Sequence, residues 1–155
     1  MNPENPWYAA KRIKLEVSPD IHPGFDIGFD ENIPEETRAE IRAFISWVEN
    51  HFYLPITLWV NFEYKHYLFR RDRKRVGYLF YWSDFDTYPV FNQRDNIPII
   101  RLPVRTEYST IEEILASFIE AITCYFAWLT NTMTEGFDPD ESHVEEILQE
   151  YLSSI

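Results

Sequence analysis

The stretch ILASFIEAITCYFAWL, residues 114 to 129, is apolar or small at nearly every position, and its placement decides the arrangement of everything else. A bilayer span needs roughly 20 uncharged residues. This run is shorter and carries Glu120 near its middle, so it predicts a buried helix covered by other elements on every side. Glu120 and Cys124, the one cysteine of the chain, stand at i and i+4 and share a helix face, which Ser117 and Trp128 extend. A carboxylate in that setting is costly unless it is met by a partner. The candidates are a basic side chain such as Arg101 or Arg105, a hydroxyl, a metal ion, or a pocket open to water.

Working outward, EYST (107 to 110) offers Ser109 or Thr110 as the helix cap, with Glu112 and Glu113 in the first turn. Downstream, DPDESHVEEILQEYL (138 to 152) predicts a last helix. Asp138 would cap it, Pro139 would take its first position, and Val144, Ile147, Leu148 and Tyr151 would face inward. Upstream, residues 33 to 52 predict an amphipathic helix, with Pro34 at its start and Ile41, Phe44, Ile45, Val48 and Phe52 on one stripe. Between these helices, ITLWVNFEY (56 to 64), VGYLFYW (76 to 82) and IPIIRLPV (97 to 104) read as strands rich in β-branched and aromatic residues. The first two flank a charged segment expected to be a hairpin arm or loop. Pro98 and Pro103 place the third strand, or its ends, at an edge. The expected fold is a single α+β domain over residues 1–155. Its parts are an N-terminal helix, a small three- or four-stranded, mainly antiparallel sheet, a buried core helix and a C-terminal helix.

Composition agrees. Five Trp, ten Tyr and twelve Phe in 155 residues supply large rings for a core, while four Gly and ten Pro leave no room for a flexible linker or a glycine-rich phosphate loop. No apolar segment follows a basic start at the N-terminus, and a lone cysteine forms no internal disulfide, so a reducing, cytoplasmic setting without membrane insertion is expected. The net charge is −12 and is unevenly spread. From Thr106 onward there are eleven acids and no Lys or Arg, whereas Lys65, Arg70, Arg71, Arg73, Lys74 and Arg75 crowd six of the fourteen positive charges into eleven positions.

The layout of helix, small sheet, core helix and following helix resembles the minimal zincin-like metallopeptidases of small bacterial and phage proteins. Their core helix carries His-Glu-x-x-His and ends in a phrase like His-Tyr-Phe-x-Trp, where this chain reads CYFAW at 124 to 128. The resemblance covers roughly residues 33 to 152 in layout, and in residue detail only the core helix. It implies that Glu120 and Cys124 stand at the two histidine positions, that Ala121 replaces the catalytic glutamate, and that the third, acidic ligand falls near Glu141. Zinc hydrolysis needs imidazoles to hold the ion and a carboxylate to take the proton from its water. With all three positions changed, the resemblance implies a pseudoenzyme with no cofactor, whose relic pocket comprises Glu120, Ala121, Cys124, Glu141 and His143.

Two other chemistries compete. Glu120, Cys124 and either His143 or Glu141 would make an irregular metal site for a hydrolase. The basic stretch from 65 to 75 interleaves cations with aromatics in the manner of single-strand nucleic-acid binders, but a chain of −12 repels phosphate everywhere else. The leading expectation is therefore a non-catalytic protein-binding module. An acidic surface that includes Asp138, Asp140, Glu145 and Glu146 would capture a basic protein, as an acidic inhibitor, immunity or antitoxin-type protein does. Alternatively the basic arm reaches the acidic face of a second copy.

Overall fold

The computed structural model describes residues 4–13, 22–65, 77–84, 96–133 and 137–155. The elements run α1 (Pro6–Ala9), continued by a short 3-10 turn (Ala10–Arg12), then β1 (Phe25–Phe29), α2 (Glu35–His51), β2 (Leu58–Glu63), β3 (Leu79–Asp84), β4 (Asn96–Pro103), α3 (Ile111–Leu129) and α4 (Glu141–Ser153). The chain is α+β, with one four-stranded mixed sheet in the order β1-β2-β4-β3.

Three of the expected strands are present, and β1 adds a fourth. FDIGF hides from a propensity reading because Asp26 and Gly28 interrupt it, although Phe25, Ile27 and Phe29 alternate correctly. It pairs parallel with β2, from Phe25 opposite Leu58 to Phe29 opposite Phe62. The return along α2 makes that parallel pairing possible, since parallel neighbours need a long crossover. The sheet is consequently not mainly antiparallel: β1–β2 and β2–β4 are parallel, and only β3–β4 is antiparallel. Nor do β2 and β3 form a direct hairpin, because β4 inserts between them.

That insertion places the body of the third strand at the centre of the sheet and only its ends at an edge, the second of the two expected placements. β4 is central, and each proline sits where it has a neighbour on one side only. Pro98 pairs across to Trp82 of β3 before the β2 ladder begins, and Pro103 pairs across to Glu63 of β2 after the β3 ladder ends. A missing N–H is tolerated at such positions.

Among the described residues α3 packs on the sheet, against β3 and β4, and α1, α2 and α4 pack on α3. Leu58, Val60, Phe62, Ile100 and Leu102 point into this layer and are buried. Phe118 of α3 is the hinge of the packing, with its ring centroid 5.2 Å from Phe62, 5.7 Å from Phe44 of α2 and 6.0 Å from Phe25. Tyr151 of α4 meets Phe44 edge-on at 4.9 Å, and Trp7 of α1 meets Phe52 and Phe126 at 4.9 and 5.0 Å. Residues 114 to 129 are buried without exception, as an all-round apolar helix requires. Thr110 and Glu113 close a reciprocal capping box at its start. No helix among the described residues is long and apolar enough to cross a membrane.

The last helix begins two residues later than expected. Asp140, not Asp138, is the cap, accepting from the Ser142 N–H at 2.8 Å and the Ser142 hydroxyl at 2.6 Å. Pro139 thus stays outside the helix and biases Asp138 toward extended backbone. The inward set, Val144, Ile147, Leu148 and Tyr151, is as expected. Pro34 likewise lies just ahead of α2, with an extended ψ of 144°.

Candidate functional site

The middle of α3 holds the residues that sequence singled out. Glu120 is 5% exposed, Cys124 6% and Ala121 fully buried. The hydroxyl of Tyr78, one residue ahead of β3, donates to Glu120 Oε1 at 2.9 Å and lies 3.8 Å from Cys124 Sγ. The i, i+4 pair therefore shares one face and one tyrosine, so a hydroxyl is among the partners of Glu120.

Strand parity places Arg101 elsewhere. Ile100 and Leu102 point into the helical layer, so Arg101 between them projects to the opposite face. There it grips Glu63 of β2 with two hydrogen bonds of 2.9 and 2.8 Å, joined by Lys65 at 3.4 Å. Arg105 is likewise committed elsewhere, to Glu107 and the face of Tyr64. Tyr78 was missed because a tyrosine at a strand start carries no signal of its own partner.

The other residues of the expected pocket do not join this group. Glu141 is exposed in the first turn of α4, and half-buried His143 lies one residue past Ser142 on the side facing α1. Among the described residues no three His, Cys, Asp or Glu side chains come together as ligands for a metal ion. The irregular Glu120–Cys124–His143 or Glu141 centre is thus not assembled. Arg70, Arg71, Arg73, Lys74 and Arg75 lie outside the described residues.

A second constellation was not foreseen. Asn5 is 4% exposed and fastens α1 to α4. Its Oδ1 caps α1 by accepting from the Trp7 N–H at 3.1 Å, while its Nδ2 donates to Glu146 Oε1 at 3.0 Å and to the His143 carbonyl at 3.3 Å. Beside it the Trp7 indole donates to the Thr123 hydroxyl at 2.9 Å, and that hydroxyl donates back to the Ile119 carbonyl. Tyr8 donates to Glu150, and burial, then this bond, pushes its phenol above its ordinary range. The junction leaves a cleft of about 490 Å³ between α1, the C-terminal end of α3 and the approach to α4.

Beside that cleft the acids just ahead of α4 and along it face outward. Asp138, Asp140, Glu145 and Glu146 are all exposed, in alternation with the buried stripe. Hydrogen bonds from the Ser142 hydroxyl and amide hold the Asp140 carboxyl below its usual range, so it is an anion. What the arrangement offers is electrostatic and steric: a one-signed surface with a concave side. No protein-family model, no curated protein and no solved structure matches the chain.

Proposed function

We propose that this chain is a non-catalytic protein-binding module, built on a scaffold that resembles a zincin stripped of its motif, and that it docks a basic protein partner. The observation that carries the reading is the outer surface of α4. Asp138 and Asp140 just ahead of it and Glu145 and Glu146 on it stand exposed, within a segment from Thr106 to Ile155 that has eleven acids and no Lys or Arg. A surface of one sign speeds capture of an oppositely charged partner and rejects acidic ones. An inhibitor, immunity or antitoxin-type role uses this physics. The non-catalytic half of the reading is supported by the closure of the core position, where Glu120 and Cys124 meet a tyrosine and Ala121 offers no base.

The test is affinity capture from the native host, followed by reconstitution with the purified partner. Association should slow steeply as salt rises, and D138K together with E145K should weaken it strongly. A partner whose binding ignores both salt and charge reversal would sink the docking surface. Stoichiometric zinc in protein purified without added metal, lost in Glu120→Ala or Cys124→Ala, would return the chain to the hydrolases.

A further inference from the structure

β1 ends the sheet, and no strand lies beyond it among the described residues. Its hydrogen bonds to β2 alternate along the chain. The Gly24 carbonyl accepts from the Leu58 N–H, the Asp30 N–H donates to the Phe62 carbonyl, and the parallel register runs unbroken between them. The even-numbered residues therefore bond β2, and the N–H and C=O groups of Phe25, Ile27 and Phe29 point out of the sheet. Of these, the Phe25 N–H meets Glu49 Oε2 in a long contact of 3.4 Å. The others form the kind of edge that natural proteins cover or pair. No lysine or proline stands in this strand, and the side chains of Phe25, Ile27 and Phe29 are only half-buried on the helical side.

A second copy of β1 fits this edge, in one register. Odd-numbered residues face out on both copies, so antiparallel pairing sets Ile27 opposite Phe25, Ile27 or Phe29 of the second chain, and larger slips pair fewer residues. The first choice puts Asp26 opposite Asp26, and the third puts Asp26 opposite Asp30. Like charges directly opposite are destabilising. With Ile27 opposite Ile27, each Asp26 faces Gly28, which has no side chain to meet it.

The same two-fold brings opposite charges together. α2 runs back past β1, with Arg42 5.0 Å from the Phe29 ring and Glu49 against Phe25, both exposed on the helix. Because Phe25 would face Phe29 of the second chain, Glu49 of each copy arrives at Arg42 of the other. The Phe25 N–H gains a strand carbonyl and releases Glu49 for that contact. Arg42 already pairs with Glu35 at 3.0 Å, but that pair is exposed and weak enough to be shared.

We propose that two copies of this chain pair through β1, antiparallel about Ile27, into one continuous sheet whose seam is flanked by Arg42–Glu49 contacts between the α2 helices. The surface has no residue in common with the acids that carry the docking reading above, so the two stand or fall independently.

The test uses the full chain at about 0.15 M salt, where a Debye length of about 8 Å screens the mutual repulsion of two chains of −12. Sedimentation equilibrium over a concentration series should show the mass rising from 18.7 kDa toward twice that value. Over the same series, amide exchange at Ile27 and Phe29 should slow in step with the dimer fraction, about tenfold where nine chains in ten are paired. Asp26 and Gly28, already bonded to β2, should keep one rate. Arg42→Glu or Glu49→Arg alone should weaken the dimer by about tenfold or more, and the two together should restore it. Ile27→Pro should abolish pairing in a folded monomer, because that N–H faces no strand of its own chain; if the variant unfolds, the charge swap and the exchange rates still decide. A chain monomeric at about 1 mM overturns the proposal. So does exchange at Ile27 that ignores concentration, or single charge variants that associate like the parent. Monomers whose Ile27 and Phe29 amides are protected only when the captured partner is present assign the edge to that partner and overturn self-pairing.

Discussion

Glu120, Cys124 and Tyr78 form a small polar island inside an apolar helix layer, and its energetics are testable one side chain at a time. Replacing Tyr78 by phenylalanine removes the hydroxyl that donates to Glu120 Oε1 and should cost about 1–3 kcal/mol in urea unfolding, the usual worth of a hydrogen bond to a charged group. Gln at position 120 can still accept from the hydroxyl, so Glu120→Gln should be milder than Tyr78→Phe, and the double variant should show coupling between the two. Cys124→Ala removes one sulfur from a packed position and should stay within about 1.5 kcal/mol. Tyr125, on another side of α3, is fully buried; its hydroxyl donates to the Ile56 carbonyl and accepts from the Ile56 N–H. Burial pushes its phenol far above the ordinary range. The folded state therefore keeps the proton that the unfolded chain releases near pH 10, so this tyrosine's contribution is intact below about pH 10 and falls by about 1.4 kcal/mol per pH unit above it. Chemical denaturation between pH 8 and 11 checks this, with a shallower alkaline decline expected in Tyr125→Phe.

At the scale of the elements, sequence was reliable where a stripe repeats and silent where an element is short. The inward faces of α2 and α4 were readable because one face of each must be apolar for the helix to pack at all. β1 and α1 were not readable, since five and four residues give a period too little length. Gly24, at the entry to β1, is the local reason that this strand can form. It sits at a φ of 91°, exchanges hydrogen bonds with Leu54 and Leu58, and has Glu49 Oε2 2.7 Å from where a Cβ would be. Gly24→Ala should destabilise by about 1–2 kcal/mol through backbone strain alone, read as a lowered midpoint with unchanged slope in urea. A loss confined to β1 amides in hydrogen exchange would locate the damage. Asp140→Ala should cost about 1 kcal/mol, and Asp140→Asn little, because only the alanine removes the cap.

At the scale of the whole molecule, two surfaces differ in kind. The helical face is acidic. The free face of the sheet carries Trp59 at 44% exposure with Leu79 and Tyr81 at 39%, and Trp59 and Tyr81 both flank Ile99 in the cross-strand register. The charge of −12 makes the compact state repel itself, so the melting temperature should rise with added salt until screening is complete. A salt series in differential scanning fluorimetry tests this; a flat or falling response would mean that ion pairs such as Arg101–Glu63 outweigh the repulsion.

By itself the sequence determined the burial of 114 to 129, the apolar stripes of α2 and α4, three of the strands and the α+β class, because these follow from the period of hydrophobic residues along one segment. It also placed Glu120 and Cys124 on one face, since i and i+4 are neighbours on any α-helix. The closing of the layers set the rest: β4 slips between β2 and β3, the Tyr78 hydroxyl meets Glu120, Glu141 and His143 gather no metal-ligand set with that pair among the described residues, and Asn5 draws α1 onto α4 to leave a cleft. Each of these is a meeting of groups distant along the chain. Which distant groups meet is set by how the layers close over α3, and no local pattern encodes it.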